Sequence, residues 1–340
     1  MLPLRTDRLT IRMMRHHDIG RLVTYRNDPA IGRFQDWELP FTEESARRVI
    51  DAQAPFEGPG NGRWVQLAVE LSATGDLIGD VAVELRAGGA IATLGYTFAA
   101  ANHGKGYATE AAGAVVDALC DAGVHRFVAT LDPENVPSMR VLEAVGFTHE
   151  CLAPQAELVR GEWVDDLRYS LLAAERERWR QRPRSRPAAV ALVPLDDLNV
   201  DEFHGVATHY SQQRFVRPVH FALAQMAFPI FRDDGQQFVP EAFGVTADGV
   251  AAGFVQLANC SFTHDETYLW RLLIDRWHQR RGIGTEVLRL ITERTRATGH
   301  STLTVSYGEG PGSPGPLYRG FGFVPTGEIV ADETVARLTL

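Results

Sequence analysis

Two short glycine-rich stretches hold the residue types and spacings that point most directly to chemistry. One is Gln279-Arg280-Arg281-Gly282-Ile283-Gly284, followed by Thr285; the other is His103-Gly104-Lys105-Gly106-Tyr107-Ala108, followed by Thr109. A turn of this kind at the entrance to a helix leaves several backbone N–H groups without partners and adds the positive end of the helix dipole. It can therefore cradle a pyrophosphate, and its glycines let the backbone come close to the oxygens. One such turn by itself is ordinarily a tight turn or a helix cap. Two copies in matching contexts say more.

The elements that must position these turns recur in the same order. In the first half, 94–98 reads as a strand, 109–122 as a helix with apolar residues at helical spacing, 127–131 as a strand, and 138–147 as a short helix leaving through Gly146-Phe147. In the second half, 268–274, 285–298, 301–306 and 317–323 repeat that order, ending at Gly322-Phe323. The repeat is of a whole domain, not of a short solenoid unit. Between the copies, 175–187 alternates arginines and contains Pro183 and Pro187, which stop regular structure. The expected division is a domain over 1–175, a linker over 176–187 and a second domain over 188–340.

Composition bounds the function classes. A chain of 340 residues with 45% apolar and 23% charged residues is long enough for two domains with their own cores. A net charge of −9 argues against nucleic acid, whose phosphates need a basic excess. No apolar run is long enough for a membrane helix, and the charged start, Arg5 to Asp7, is unlike a secretion signal; a cytoplasmic protein is expected. Cys120, Cys151 and Cys260 lie far apart with no metal-like pairing. They read as reduced core residues, and no metal site is expected. Dinucleotide binding is a weaker reading of the turns, because it calls for a strand-first unit with an acidic residue ~20 positions on, whereas these turns sit late in each half.

With both turns in strand and helix context, the chain resembles the GNAT superfamily of acyl-CoA N-acyltransferases, whose signature turn is Gln/Arg-x-x-Gly-x-Gly/Ala. Gln279 to Gly284 matches it fully; His103 to Ala108 matches except for its histidine. The first half looks like the ribosomal-protein N-terminal acetyltransferase type. It does so in its opening Leu4-Arg5-Thr6-Asp7-Arg8-Leu9, in Gly104 to Ala111, in Asn135-Val136-Pro137-Ser138, and in the exit Val145-Gly146-Phe147. The second half looks like diamine and spermidine/spermine N-acetyltransferases in Gln212-Gln213-Arg214-Phe215-Val216, Gly253-Phe254-Val255, Arg271 to Asp275, Leu317-Tyr318 and Thr326-Gly327-Glu328. It departs from them at 310–316, at His220 and at Asp332-Glu333.

The resemblance implies an α+β fold: two tandem domains, each a mixed, centrally splayed sheet flanked by helices and able to pack as an intramolecular pseudo-dimer. It implies direct transfer from acetyl-CoA to a primary amine, polyamine-like or otherwise, a peptide N-terminus or an aminoglycoside. Pantetheine would run along a splayed strand, on Leu272, Leu273 and Ile274 in one half and Tyr96 and Phe98 in the other. Tyr318 matches the tyrosine that protonates the departing thiolate. Ser138 matches the serine given that role in its branch, and Asn135 a CoA-contacting asparagine; a helix cap and a plain turn residue are their structural readings. Glu84 and Glu266 are candidate general bases or simply solvated acids. The histidines, His16-His17 and His278 included, read as structural or exposed. Without a matching tyrosine, the first half reads either as a second enzyme or as a catalytically silent CoA-binding or regulatory domain.

Overall fold

In a computed structural model the described residues are 2–228, 230–231, 237–259 and 265–340. They form two compact units, Met1–Gln181 and Arg182–Leu340. Each is a mixed sheet with helices, and the fold is α+β.

The first unit runs β1 (Leu4–Arg5), β2 (Leu9–Met13), α1 (Ile19–Arg26), α2 (Pro29–Gly32), α3 (Glu43–Gln53), β3 (Trp64–Leu71), β4 (Leu77–Arg86), β5 (Ile91–Phe98), α4 (Tyr107–Asp121), β6 (Arg126–Leu131), α5 (Val136–Val145), β7 (Thr148–Val159), β8 (Glu162–Leu172) and α6 (Ala173–Gln181). Its strand order is β1-β2-β3-β4-β5-β6-β8-β7. The second unit runs β9 (Val190–Pro194), α7 (Val200–Phe203), α8 (Val219–Met226), β10 (Ile230–Phe231), β11 (Gln237–Ala247), β12 (Val250–Asn259), β13 (Glu266–Ile274), α9 (Ile283–Ala297), β14 (Thr302–Tyr307), α10 (Gly315–Phe321), β15 (Val324–Val330) and β16 (Glu333–Thr339). Its order is β10-β11-β12-β13-β14-β16-β15, with β9 also paired to β11.

The central helices follow from apolar periodicity. Helix α4 buries Ala111, Ala112, Val115, Val116 and Leu119, and α9 buries Ile283, Val287, Leu288 and Ile291, the i, i+4, i+5, i+8 stripe that faces a sheet. Each buried valine, leucine or isoleucine among them contributes roughly 1.5–3 kcal/mol. Tyr318, Phe323, Val305 and Tyr307 join the α9 stripe in one core.

The sheets open where the turns begin. Strand β5 is paired to β4 along its length, but to β6 only over Ile91–Thr93. Strand β13 is likewise paired to β14 only over Glu266–Leu269. Beyond those points the parallel neighbours part, leaving 94–98 and 270–274 with one free strand edge each. Free backbone groups there call for partners.

Two expectations are corrected. The linker placed at 176–187 begins as the last turns of α6, not as a tether: Trp179 is buried against Gly146 and donates Nε1–H to Ala144 O at 3.0 Å, and Arg176 is paired with Asp117 at 2.7 Å. An indole can bury its ring and still satisfy its N–H, which arginine counting along the sequence does not reveal. Of the cysteines, Cys151 is exposed on β7 and Cys120 is half-buried; Cys260 lies outside the described residues. Strand β7 is exposed around it, Glu150 and Leu152 as well as Cys151. Because Trp179 is packed in this way, Trp179→Ala is expected to cost about 3–5 kcal/mol, read as a lowered unfolding midpoint of a 1–181 fragment in urea.

Candidate active sites

Each turn is locked to its strand by its first side chain. Gln279 donates Nε2–H to the Ile274 carbonyl at 3.0 Å, and His103 reaches the Phe98 carbonyl through Nε2 at 2.8 Å. The histidine thus makes the contact that glutamine makes in the other unit, provided Nε2 carries the proton. Both carbonyls end the splayed strands, so of the backbone groups at Phe98 and Ile274 only the N–H groups can serve a ligand.

Past the clasp the two backbones coincide. Gly104 and Arg280 have φ of +73° and +64°, and Gly106 and Gly282 cap their helices at φ +80° and +78°. Left-handed backbone suits glycine and strains other residues. The first helical bonds are Glu110 N–H to Gly106 O and Glu286 N–H to Gly282 O. Among the described residues, the N–H groups of Lys105 to Thr109 and of Arg281 to Thr285 donate to nothing. A row of free donors at the N-terminus of a 15-residue helix is an anion cradle.

The cradles are braced from outside. Arg8 donates from Nη1 to Lys105 O at 3.0 Å and from Nε to Glu110 at 2.7 Å, and lies 4.6 Å above the Tyr107 ring. Thr6 also donates to Glu110. Burial works to raise the Glu110 pKa, but the hydrogen bonds from Thr6 and Arg8 prevail and hold it low. In the second unit Arg281 donates Nε–H to Ser185 O at 2.8 Å and Nη1–H to His278 Nδ1 at 2.8 Å, and Arg186 lies 3.5 Å from Glu286. The Arg281 side chain is therefore turned away from the cradle. Its expected contact with CoA reduces to its backbone N–H, because a buried guanidinium is held where its acceptors are. Arg280, Gly282 and Thr285, by contrast, are exposed, as are His103, Gly104, Lys105 and Gly106.

The strand ends are set by one close approach in each unit. A Cβ on Gly79 would collide with the Thr97 carbonyl and the Phe98 ring, and one on Gly253 would collide with the Leu273 carbonyl. The same device thus brings β4 against β5 and β12 against β13.

Tyr318 is buried on α10, its ring 5.5 Å from Tyr307 and 5.6 Å from Phe323. Burial, then Glu333 and Tyr268, push its pKa well above the usual phenol value. In the first unit Leu142, four residues before the closing Gly146 as Tyr318 is before Gly322, holds that place. Its phenol comes from elsewhere: the Tyr96 hydroxyl lies 2.8 Å from Ser138 Oγ and 2.9 Å from Ser138 O. Tyr96, expected to contribute only backbone, thereby joins Ser138. Its pKa is raised by burial, against the lowering effect of the Ser138 bond. Asn135 caps α5, accepting from Ser138 N at 3.2 Å, which leaves its amide N–H groups for a ligand.

The two carboxylates expected to border the clefts do not. Glu266 starts β13 and accepts from Thr304 Oγ1 at 2.9 Å; it stands eight residues before Ile274, about 26 Å along an extended strand. Glu84 pairs with Thr93, in the closed part of the sheet. Proximity in sequence to a cleft strand misled because only one end of that strand opens. The carboxylates whose charge acts on the phenols are Glu333 for Tyr318, which also accepts from Ser306 Oγ, and Glu143 for Tyr96, which accepts from Tyr169 at 3.0 Å. Glu333 had a signal, the departure at Asp332-Glu333; buried Glu143 had none. The cluster His17, Asp18 and Glu70 has donor atoms for a cation, but the Arg12 guanidinium already bonds both carboxylates.

The clasp predicts that His103→Gln leaves cofactor affinity of the first unit within about twofold, whereas His103→Ala, which orphans the Phe98 carbonyl at a cost of about 1–3 kcal/mol, weakens it tenfold or more. Calorimetric titration of CoA into a 1–181 fragment checks both.

Comparison with known proteins shows the family of both units. Residues 8–148 match a family model described as "Acetyltransferase (GNAT) domain" and residues 194–323 one described as "Acetyltransferase (GNAT) family". The chain is 30% identical over 181 residues to the uncharacterized N-acetyltransferase p20 of Bacillus licheniformis, covering 52% of this chain and 98% of that one. It is 29% identical over 171 residues to the uncharacterized N-acetyltransferase YnaD of Bacillus subtilis, covering 50% and 96%. A solved structure of Mycobacterium smegmatis RimJ in complex with CoA-disulfide aligns with a TM-score of 0.44 at 27% identity, covering 49% of this chain and 83% of that chain.

Proposed function

Because this chain belongs in both of its units to the GNAT acetyltransferases, we propose that it transfers an acetyl group from acetyl-CoA directly to a primary amine, with the better equipped site in the Arg182–Leu340 unit. The observation that carries the assignment of sites is the buried phenol of Tyr318 beside an intact clasp and cradle. The free N–H groups of Arg281 to Thr285 suit a pyrophosphate, and the open edge at 270–274 suits amides that add as a strand. Acetyl-CoA supplies a thioester whose carbonyl is open to attack and whose sulfur leaves as a thiolate.

As the amine nitrogen bonds to the carbonyl carbon and the C–S bond breaks, the Tyr318 hydroxyl gives its proton to the sulfur and recovers one from solvent. The amine, attacking in its neutral form, sheds its proton to Glu333 or through water. The raised pKa favours this division of labour, since Tyr318 keeps its proton throughout neutral and mildly alkaline conditions. Tyr318→Phe should lower kcat by about 10²–10⁴-fold without weakening acetyl-CoA binding. In the unsubstituted protein kcat should show no falling limb below pH 10, because the acid form is lost only above the ordinary phenol pKa of 10.0. Thiol release followed from pH 6 to 10 tests both; a limb falling near pH 8 removes Tyr318 from the role.

In the Met1–Gln181 unit the same role falls to Ser138 and Tyr96 together. A serine hydroxyl is a poor acid; a phenol at 2.8 Å is a better one. Thiol release remaining in a Tyr318→Phe protein should fall at least tenfold on adding Tyr96→Phe or Ser138→Ala. Residual turnover that neither change touches would mark this unit as a silent CoA-binding domain.

A further inference from the structure

The acceptor side of the Arg182–Leu340 unit has a charge pattern that its expected polyamine does not explain. Gln212 and Gln279 exchange amide hydrogen bonds, Gln279 Nε2 to Gln212 Oε1 at 2.8 Å and Gln212 Nε2 to Gln279 Oε1 at 3.3 Å. The clasp residue thus holds the segment that follows Gln212. That segment, with Glu333, lines an open cavity of about 490 Å³. The ring of Phe215 lies against Gly308 and Gly312. Gly308 follows Tyr307, whose own ring is 5.5 Å from Tyr318, and Glu333, whose charge acts on the Tyr318 phenol, is part of the cavity lining.

Its charged lining is uneven. Arg214, Arg217 and His220 are set against a single carboxylate, Glu333. Arg214 lies 4.6 Å over Phe215 and donates to the Pro311 carbonyl, and Arg217 lies 4.3 Å over Phe221. The rings hold both guanidinium groups in place, and among the described residues neither has a carboxylate partner. A third guanidinium, Arg271, is close enough to Arg217 for the like charges to add to the lowering of its pKa that burial begins. Arginines seated on rings, with no carboxylate yet bound, are built to take one in a fork. They repel the second ammonium of a diamine.

We propose that this cavity takes a small amine bearing a carboxylate, its ammonium directed to Glu333 beside Tyr318 and its carboxylate held by Arg214 and Arg217. The assignment rests on the reading of Tyr318 as the reacting end. The acceptor is then a zwitterion, and the acetylated product carries a net negative charge.

The experiment measures Tyr318-dependent thiol release, the part lost in Tyr318→Phe, by the full chain with a matched series: α,ω-diamines and ω-amino acids of three to six carbons, with the common α-amino acids. The best amino carboxylate should exceed the best diamine at least tenfold in kcat/KM. Arg217→Gln and Arg214→Gln should each lower that ratio about tenfold. A ratio of rates cancels differences in the amount of folded protein, and two separate variants guard against one failing to fold. A diamine preferred over every amino carboxylate, or a ratio that neither arginine change moves, overturns the proposal while leaving the transferase assignment standing. Thiol release that no amine elicits, or that Tyr318→Phe leaves intact, overturns the transferase reading of this unit and the acceptor class with it.

Discussion

The hydrogen bond from the first side chain of each turn to the last carbonyl of the splayed strand is the constraint on which both sites depend. His103 to Phe98 O and Gln279 to Ile274 O each fix where the strand stops. They also fix the direction in which the next helix starts. Without that bond the carbonyl would need another partner, and the free N–H groups that follow would not be aimed beside the open strand edge. The close approaches at Gly79 and Gly253 set the same strand end from the opposite side. The bracing by Arg8, and by Ser185 and Arg186, holds the helix end from without. These supports leave the cradle donors free because every supporting bond is made by other atoms.

The units share this frame and differ in how they place a phenol. In the second, Tyr318 comes from the helix after β14, packed into the same core as α9. In the first, Leu142 fills that position in the core, and the phenol of Tyr96 crosses from β5 to the start of α5. A hydroxyl can thus arrive at the end of a splayed strand by either route.

The surroundings of the two frames differ more, because nothing in the clasp and turn constrains them. In the second unit the segment after Gln212 carries arginines seated on aromatic rings. In the first, the sheet face under α1 and α3 buries Tyr25, Arg26 and Asp80, with Tyr25 donating to Asp80 at 2.5 Å and Arg26 3.6 Å from the same carboxylate. Burial raises the Asp80 pKa, against Arg26 and the Tyr25 bond. A carboxylate so enclosed stiffens the face and is closed to substrate.

Taken alone, the sequence determined the duplication, the two strand-turn-helix frames and the family, because these rest on local signals: glycines where φ is positive, and apolar residues at helical spacing. It also singled out Tyr318, whose neighbours Leu317 and Phe323 are near in the chain. Only the tertiary structure decided that His103 can stand in for glutamine, that Tyr96 reaches Ser138, and that the charge of Glu333, not of Glu84 or Glu266, acts on the Tyr318 phenol. It likewise turned Arg281 inward and Trp179 into the core. Each of these depends on which end of a strand opens and which side chains meet across the sheet. Most such meetings join residues tens of positions apart, 42 for Tyr96 and Ser138, 35 for Trp179 and Ala144 and 96 for Arg281 and Ser185, and no spacing along the chain records them.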